Sequence, residues 1–489
     1  MARGRETVFK AIAVAVPLAL TVVIGLLIHK SRQSHAPTIP APKRPVLPSS
    51  TPADTTDRFF LYVLGGSTSK GEPFSVEGNE PSVFGRLVAW QFNHQIHGKN
   101  ISVVTLAEKG TAIDTAAEMA RDIARQNHAP GTAAVLLYSG HNEFLSTDDQ
   151  WDLTKSPRRL CDEWVVSPTQ MNAVLDNHRR LTEEVITTCK KADVPIVVSS
   201  LACNLRDWRP NRSVLHSQAN SNSVFTGYQR AKKAIDAGDF ANAAEGLATI
   251  LKLEPDFAEL HFLQGRALET VGDTNAALLS YRSAADTDGN PIRAVSAQNR
   301  NIADVCHAHE IPLVDTPAII GSASTNGVPG FDLFYDWVHP NLKGYAIIAE
   351  QFAAILATEL DQKLTRESIP LTEARAVLGI TDQKLAAAIA RMAQICYVTS
   401  TRRWDPEPRL EIGRRYLREA LKLVPGNPDF IISQGMLELT GSNGPEAIKF
   451  LRKVYNTHPE MVEKRMAHPN VSQLFTRLGI SDPMSRLRE

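Results

Sequence analysis

The stretch Phe59-Phe60-Leu61-Tyr62-Val63-Leu64-Gly65-Gly66-Ser67-Thr68 decides the fold. Six apolar residues in a row, followed at once by two glycines, read as a short strand buried on both faces that ends in a sharp turn. A strand with one face in water would alternate polar and apolar residues instead. Four further runs share this character, Ile101–Leu106, Ala133–Tyr138, Pro195–Ser199 and Ile311–Val314, and helical stretches separate them. We therefore expect an α/β fold, a three-layer domain built on a parallel five-stranded sheet covered on both sides.

Glycine permits backbone conformations that a side chain forbids, so the Gly65-Gly66 turn projects the Ser67 hydroxyl at the C-terminal edge of the sheet. That edge is where open parallel sheets bind ligands. Near the end of the same domain, Asp336-Trp337-Val338-His339-Pro340 precedes a helix expected from about Lys343, which places a carboxylate and an imidazole on one loop. A serine nucleophile needs a base, and the base needs an acceptor that fixes its tautomer. After the third run, Gly140-His141-Asn142-Glu143 sets the Asn142 amide on the same edge, where it donates to a developing oxyanion or caps the next helix. Each block alone has an ordinary reading, as a turn, a chance Asp-x-x-His or a cap. Their force lies in occupying successive strand ends.

Together these blocks resemble the SGNH (GDSL-type) hydrolase family, over about Arg58–Leu360 less a helical insertion. The resemblance implies a flavodoxin-like sheet, Ser67 as nucleophile, His339 as general base and Asp336 as its orienting acid. It also implies an oxyanion hole made of the Ser67 N–H and the Asn142 side chain. The family's second block normally supplies a glycine N–H, and here it reads Glu108-Lys109-Gly110-Thr111-Ala112-Ile113-Asp114. Gly110 or Ala112 is the donor, Ala112 being preferred because Asp114-Thr115 would then cap the following helix. One departure is plain: the usual Gly-Asp-Ser is Gly65-Gly66-Ser67, without the Asp. Gly-Gly-Ser-Thr looks like a branch of the same superfamily. The implied activity is hydrolysis of an acyl ester, O-acyl groups on envelope glycans included, through an acyl-serine. Two alternatives use the same sequence: an O-acyltransferase with the same triad, and an inactive membrane-tethered repeat scaffold.

Between the fourth and fifth runs the chain is far longer than one crossover helix requires. Gly238-Asp239 recurs as Gly272-Asp273, and Ala243 as Ala277, both 34 residues later, which is the tetratricopeptide period. Gly265, Tyr281 and Ala284 fall at packing positions of such helix pairs, and Pro255 ends the first unit. A third match, Gly435, Ala447, Leu451 and Pro459, lies in the tail. The expected organisation is a membrane anchor at 1–30, a Pro-rich linker at 31–57, a hydrolase domain at 58–222 and 291–362, a tetratricopeptide-like insertion at 223–290, and a helical repeat-like domain at 368–489. The repeats offer a surface for a protein partner.

The anchor reading rests on Ala11–Ile28, an uncharged apolar run flanked by Arg3, Arg5 and Lys10 and by His29, Lys30 and Arg32. About 20 apolar residues span a bilayer, whereas a secretory core is usually about 7 to 15. An uncleaved single-pass anchor is expected, with the catalytic part extracytoplasmic. Pro37, Pro40, Pro42, Pro45, Pro48 and Pro52 keep the linker from forming helix or sheet. The 53 Lys and Arg balance 53 Asp and Glu without clustering, which argues against nucleic acid as a partner. Five cysteines, Cys161, Cys189, Cys203, Cys306 and Cys396, show no metal-ligand spacing, and a Cys161–Cys189 disulfide is compatible with an extracytoplasmic site but not deducible. No metal or organic cofactor is expected: His307 and His309 lack carboxylates at ligand spacing, His94 and His97 on a predicted helix lack a third ligand, and no phosphate-cradling glycine loop occurs. In the loop Cys203-Asn204-Leu205-Arg206-Asp207-Trp208, Asn204 or Arg206 lines a substrate pocket, or Arg206 and Asp207 form a brace, the preferred reading.

Overall fold

The structure, a computed structural model, describes residues 57–75, 82–145, 160–161, 163–400, 403–467 and 469–488. The expected anchor and all but the last residue of the Pro-rich linker lie outside the described residues. Among those described, no helix is long and apolar enough to cross a membrane.

All five runs form strands, and a sixth joins them. The strands are β1 (Arg58–Gly65), β2 (Gln95–Ile96), β3 (Lys99–Ala107), β4 (Ala133–Tyr138), β5 (Ile196–Ser199) and β6 (Leu313–Val314), in the order β2-β3-β1-β4-β5-β6. β1 pairs in parallel with β3 and β4, and β4, β5 and β6 continue in parallel. The expected five-stranded sheet is thus six-stranded, because β2 pairs antiparallel with β3 at the edge. Two residues present no periodicity to read. The intervening turn holds His97 and Gly98 at positive φ, and His94 also has positive φ, three residues past the end of the helix Val83–Gln91. His94 and His97 therefore sit in turns and not on a helix.

Both faces of the sheet are covered, as successive strand residues point to opposite sides. Val63 meets the helix Val83–Gln91 at Gly85, where a Cβ would lie 2.8 Å from a Val63 methyl. The next residue back, Tyr62, sends its hydroxyl to Gln126 Oε1 at 2.8 Å, just past the helix Ile113–Ala124. The helix Leu342–Glu359 packs on the first group and Pro168–Lys191 and Ser296–Ala308 on the second. What matters for function is the register: Gly65, the last residue of β1, stands beside Ala107 of β3 and Tyr138 of β4. Three strands end level, so the three following loops start from one place.

The insertion consists of helices Ser221–Asp236, Phe240–Leu251, Ala258–Thr270 and Thr274–Asp286. The recurring Gly-Asp has a local cause. Gly238 and Gly272 take left-handed φ of 78° and 91°, and Asp239 and Asp273 then cap the next helix by accepting from Asn242 and Ala276 N–H. A Cβ on Gly265 would lie 2.9 Å from the Tyr281 ring, so the helices approach closely at that point. The tail repeats this contact, with Gly435 held 2.9 Å from Leu451 by the same measure. Helices between Leu371 and Arg488 form the C-terminal part of the described residues.

These helical parts are not appendages. One apolar core joins Trp208 after β5, Phe262 and Tyr281 of the insertion, Trp337 and Val338, and Met392, Tyr416 and Leu437 of the C-terminal helices. Beside it, Glu259 of the insertion is buried between Arg209 and Arg403, with Arg403 Nη2 3.3 Å from Glu259 Oε2. Burial opposes the Glu259 charge, but the two guanidiniums prevail and hold its carboxyl below the usual range.

Candidate active site

The Ser67 turn is set by backbone sterics. Gly65 has φ +143°, and a Cβ there would fall 2.2 Å from Tyr138 O, so only glycine fits. Gly66 ends the extended segment and precedes the short helix Ser67–Lys70, whose first N–H groups have no intrahelical acceptor. Ser69 Oγ donates to Tyr138 O at 2.5 Å, fastening the turn to β4, and Ser67 is 9% exposed.

The loop Asp336–His339 curls around its own carboxylate. Asp336 Oδ1 accepts from the N–H of Val338 at 2.9 Å and of His339 at 2.8 Å, leaving Oδ2 for the imidazole. His339 Nδ1 stands 2.5 Å from Asp336 Oδ2, and His339 Nε2 stands 2.8 Å from Ser67 Oγ. Asp336 is fully buried and His339 is 7% exposed. With Nδ1–H directed to the carboxylate, Nε2 is the acceptor for the Ser67 hydroxyl, and the array can draw that proton onto the ring. Burial pushes the His339 pKa down, but Asp336 and then Glu72 outweigh it, and the net shift is upward from 6.5. The loop is pinned from outside by Asn204 N–H donating to Trp337 O at 2.9 Å and by Tyr335 N–H donating to His339 O at 2.9 Å.

Asn142 reaches the same point from β4. Its Nδ2 donates to Thr111 O at 2.9 Å and lies 2.7 Å from where a Gly66 Cβ would be. One amide hydrogen is used, and the other is available beside the Ser67 turn. Beneath it, His141 Nε2 contacts Ala202 O at 3.0 Å, and burial lowers the His141 pKa to about 4, so the ring is neutral. His178, also lowered to about 4 by burial, packs against Gly140. In the second block, Asp114 is not the cap residue but lies in the first turn, where its Oδ1 accepts the Thr115 N–H at 2.8 Å. The helix starts at Ile113 with Ala112 as its cap residue, and Glu143 Oε1 accepts the Ile113 N–H at 2.8 Å. Burial raises the Glu143 pKa to about 7. Neither the Gly110 nor the Ala112 N–H has a backbone acceptor among the described residues.

The remaining candidates fall elsewhere. Arg206 binds Asp207 at 3.2 Å and Asp332 at 3.0 Å, a brace, and Asn204 is buried under the Asp336 loop. His309 pairs with Glu183 at 2.9 Å, and no metal-holding cluster occurs among the described residues. No disulfide joins Cys161 and Cys189. A cleft of about 280 Å³ between the β5 and β6 ends and the insertion, lined by Leu278, Arg282 and Asp286, contains none of the Ser67 group. Sequence reasoning missed Glu72, Tyr345 and Arg391. Tyr345 Oη lies 2.6 Å from Glu72 O and 3.0 Å from Thr68 O, and Arg391 comes from the helix Asp382–Ser400, more than 300 residues from the turn it touches. Only the acidic Glu72, closely following a serine turn, gave a local signal.

Residues 228–291 match the tetratricopeptide repeat family. That match covers the four helices of the insertion from Tyr228 on, and accounts for the spacing of 34 and for the Gly265–Tyr281 contact. No curated protein matches the chain. Helical repeats of this kind are suited to protein–protein interaction.

Proposed function

We propose that the chain is a serine esterase of the SGNH (GDSL-type) superfamily, cleaving an acyl ester through an acyl-serine intermediate. One observation carries this reading: the hydrogen-bonded chain from Ser67 Oγ through His339 to Asp336, assembled from opposite ends of the α/β part. A structural role has no need of a hydroxyl, an imidazole and a buried carboxylate in that order.

In this reading His339 Nε2 takes the Ser67 proton as Oγ attacks the acyl carbon. The oxyanion is met by the Ser67 N–H and the free Asn142 amide hydrogen. The second block supplies a further donor, the Ala112 or the Gly110 N–H, neither of which has a backbone acceptor among the described residues. The tetrahedral adduct collapses, His339 returns the proton to the leaving alcohol, and water then repeats the sequence to release the acid and restore Ser67. Ala11–Ile28 would tether the enzyme to a membrane, and the repeats would dock a protein partner.

The test is labelling with a fluorophosphonate probe together with hydrolysis of short-chain aryl esters. Ser67→Ala should abolish labelling and lower the rate by about a thousandfold or more. Labelling that survives Ser67→Ala refutes the assignment.

A further inference from the structure

Glu72 follows the nucleophile turn by five residues and is 4% exposed, yet carries a full complement of partners. Its N–H donates to Ser67 O at 3.0 Å and its C=O accepts from Tyr345, so its backbone is tied to the turn and to the helix after His339. Its carboxylate meets Lys109 Nζ at 2.5 Å, from the second block, and Arg391 Nη1 at 3.1 Å, from the C-terminal helices. Ser75 Oγ also donates to it. The two cations are 41% and 40% exposed, while the carboxylate between them is buried. A charge in that position acts through protein and not through water, which strengthens its reach.

Resting on the esterase reading, we propose that Glu72 is a positioning residue that stabilises the charged form of His339, and that Lys109 and Arg391 limit how strongly it does so. Arg391 thereby makes the C-terminal helical region a working part of the site. His339 contacts Asp336 on its own loop and Ser67 of the nucleophile segment, and the further groups that act on it electrostatically are Glu72, Lys109 from the second block and neutral His141 from the third. Tyr345 donates to Glu72 O and Thr68 O, and Cys396 and Tyr416 of the C-terminal helices share an apolar core with Trp337 of the Asp336 loop. Among these, Glu72 favours the imidazolium and Lys109 opposes it. Removing the carboxylate and removing a cation should then shift His339 in opposite directions, which loss of packing does not do.

The experiment measures His339 directly in the full chain, by NMR titration of selectively ¹³C-labelled histidine, the resonance being assigned by its loss in His339→Gln. The acid limb of kcat/KM is measured in parallel. Glu72→Gln should lower the midpoint by up to about one pH unit, the scale on which a neighbouring charge moves a side-chain pKa. Arg391→Met and Lys109→Met should each raise it, and Glu72→Asp should restore most of the parent value. An unchanged midpoint, or shifts of one sign in all variants with parallel loss of thermal stability, overturns the proposal. Should Glu72→Gln fail to fold, the two half-exposed cations still decide, since no upward shift in either refutes it. Opposed NMR shifts in a protein without turnover or probe labelling would refute the esterase reading while upholding the role of Glu72. Turnover with unmoved midpoints does the reverse.

Discussion

In the proposed esterase, Gly66→Ala isolates the contribution of Asn142 without touching Ser67, His339 or Asp336. The backbone at Gly66, φ −94° and ψ −151°, is extended and open to alanine, so no conformational penalty arises. Limiting the unfolded chain even favours alanine by about 0.4–1 kcal/mol. The obstacle is contact: the new Cβ would stand 2.7 Å from Asn142 Nδ2 and 3.2 Å from Thr111 O. The amide is the end of a side chain and yields by rotating off the Ser67 turn, whereas the carbonyl needs only a few tenths of an ångström. Activity should fall by the loss of one oxyanion donor, about 10²–10³ in kcat or roughly 3–4 kcal/mol, with the melting temperature nearly unchanged. The decisive form is a double-mutant cycle on aryl-ester hydrolysis. Asn142→Ala alone loses the same donor, and Gly66→Ala added to it costs little more, because the group it displaced is already gone. The coupling then approaches the full single-mutant loss. Losses that multiply, or a fully active Gly66→Ala, would refute the reasoning. A side chain at position 66 is in conflict with Asn142 here, which gives a physical reason for glycine at that position.

Further outcomes follow from single groups. Asp336→Asn should cost about four orders of magnitude in kcat, since the amide cannot hold the imidazolium. With His339 raised above 6.5, the acid limb of kcat/KM should lie above that value in the parent and fall in Asp336→Asn, whose carboxylate is the largest upward influence. The same raised pKa adds stability that is fully present below the unfolded value and is lost as pH rises through the folded one, which denaturation of His339→Gln against the parent reads out. Glu143 behaves as a buried acid: stability should decline as pH rises from the unfolded value near 4.5 to about 7, by on the order of 2–3 kcal/mol, and Glu143→Gln should flatten that slope in chemical denaturation. Glu259→Gln should cost about 3–5 kcal/mol by leaving Arg209 and Arg403 buried together, measured as a lowered denaturation midpoint.

The strands were legible because burial on both faces writes unbroken apolar runs, and the insertion because a repeated helix pair repeats its capping Gly-Asp at a fixed interval. β2 was not legible, being too short for any period and held by its pairing with β3 alone. Ser67, Asp336, His339 and Asn142, which the fold brings together, stand out in sequence because each sits in a short block with local meaning. The cap position expected from Asp114-Thr115 falls at Ala112 instead: Asp114 serves the Thr115 N–H within the first turn, and the Ile113 N–H is taken by Glu143 arriving from another strand end.

By itself, then, the chain's order of residues determined the sheet, the places where strands give way to glycine turns, and the repeat. These depend on periodicity and on the conformational freedom of particular residues, which are local properties. That three loops converge followed only from the register, in which Gly65, Ala107 and Tyr138 stand level. That Arg391 reaches Glu72 across more than 300 residues followed only from the packing of the C-terminal helices against the Asp336 loop. Contacts between distant segments leave no periodic trace in either one, because each partner is selected by the three-dimensional site and not by its neighbours in the chain.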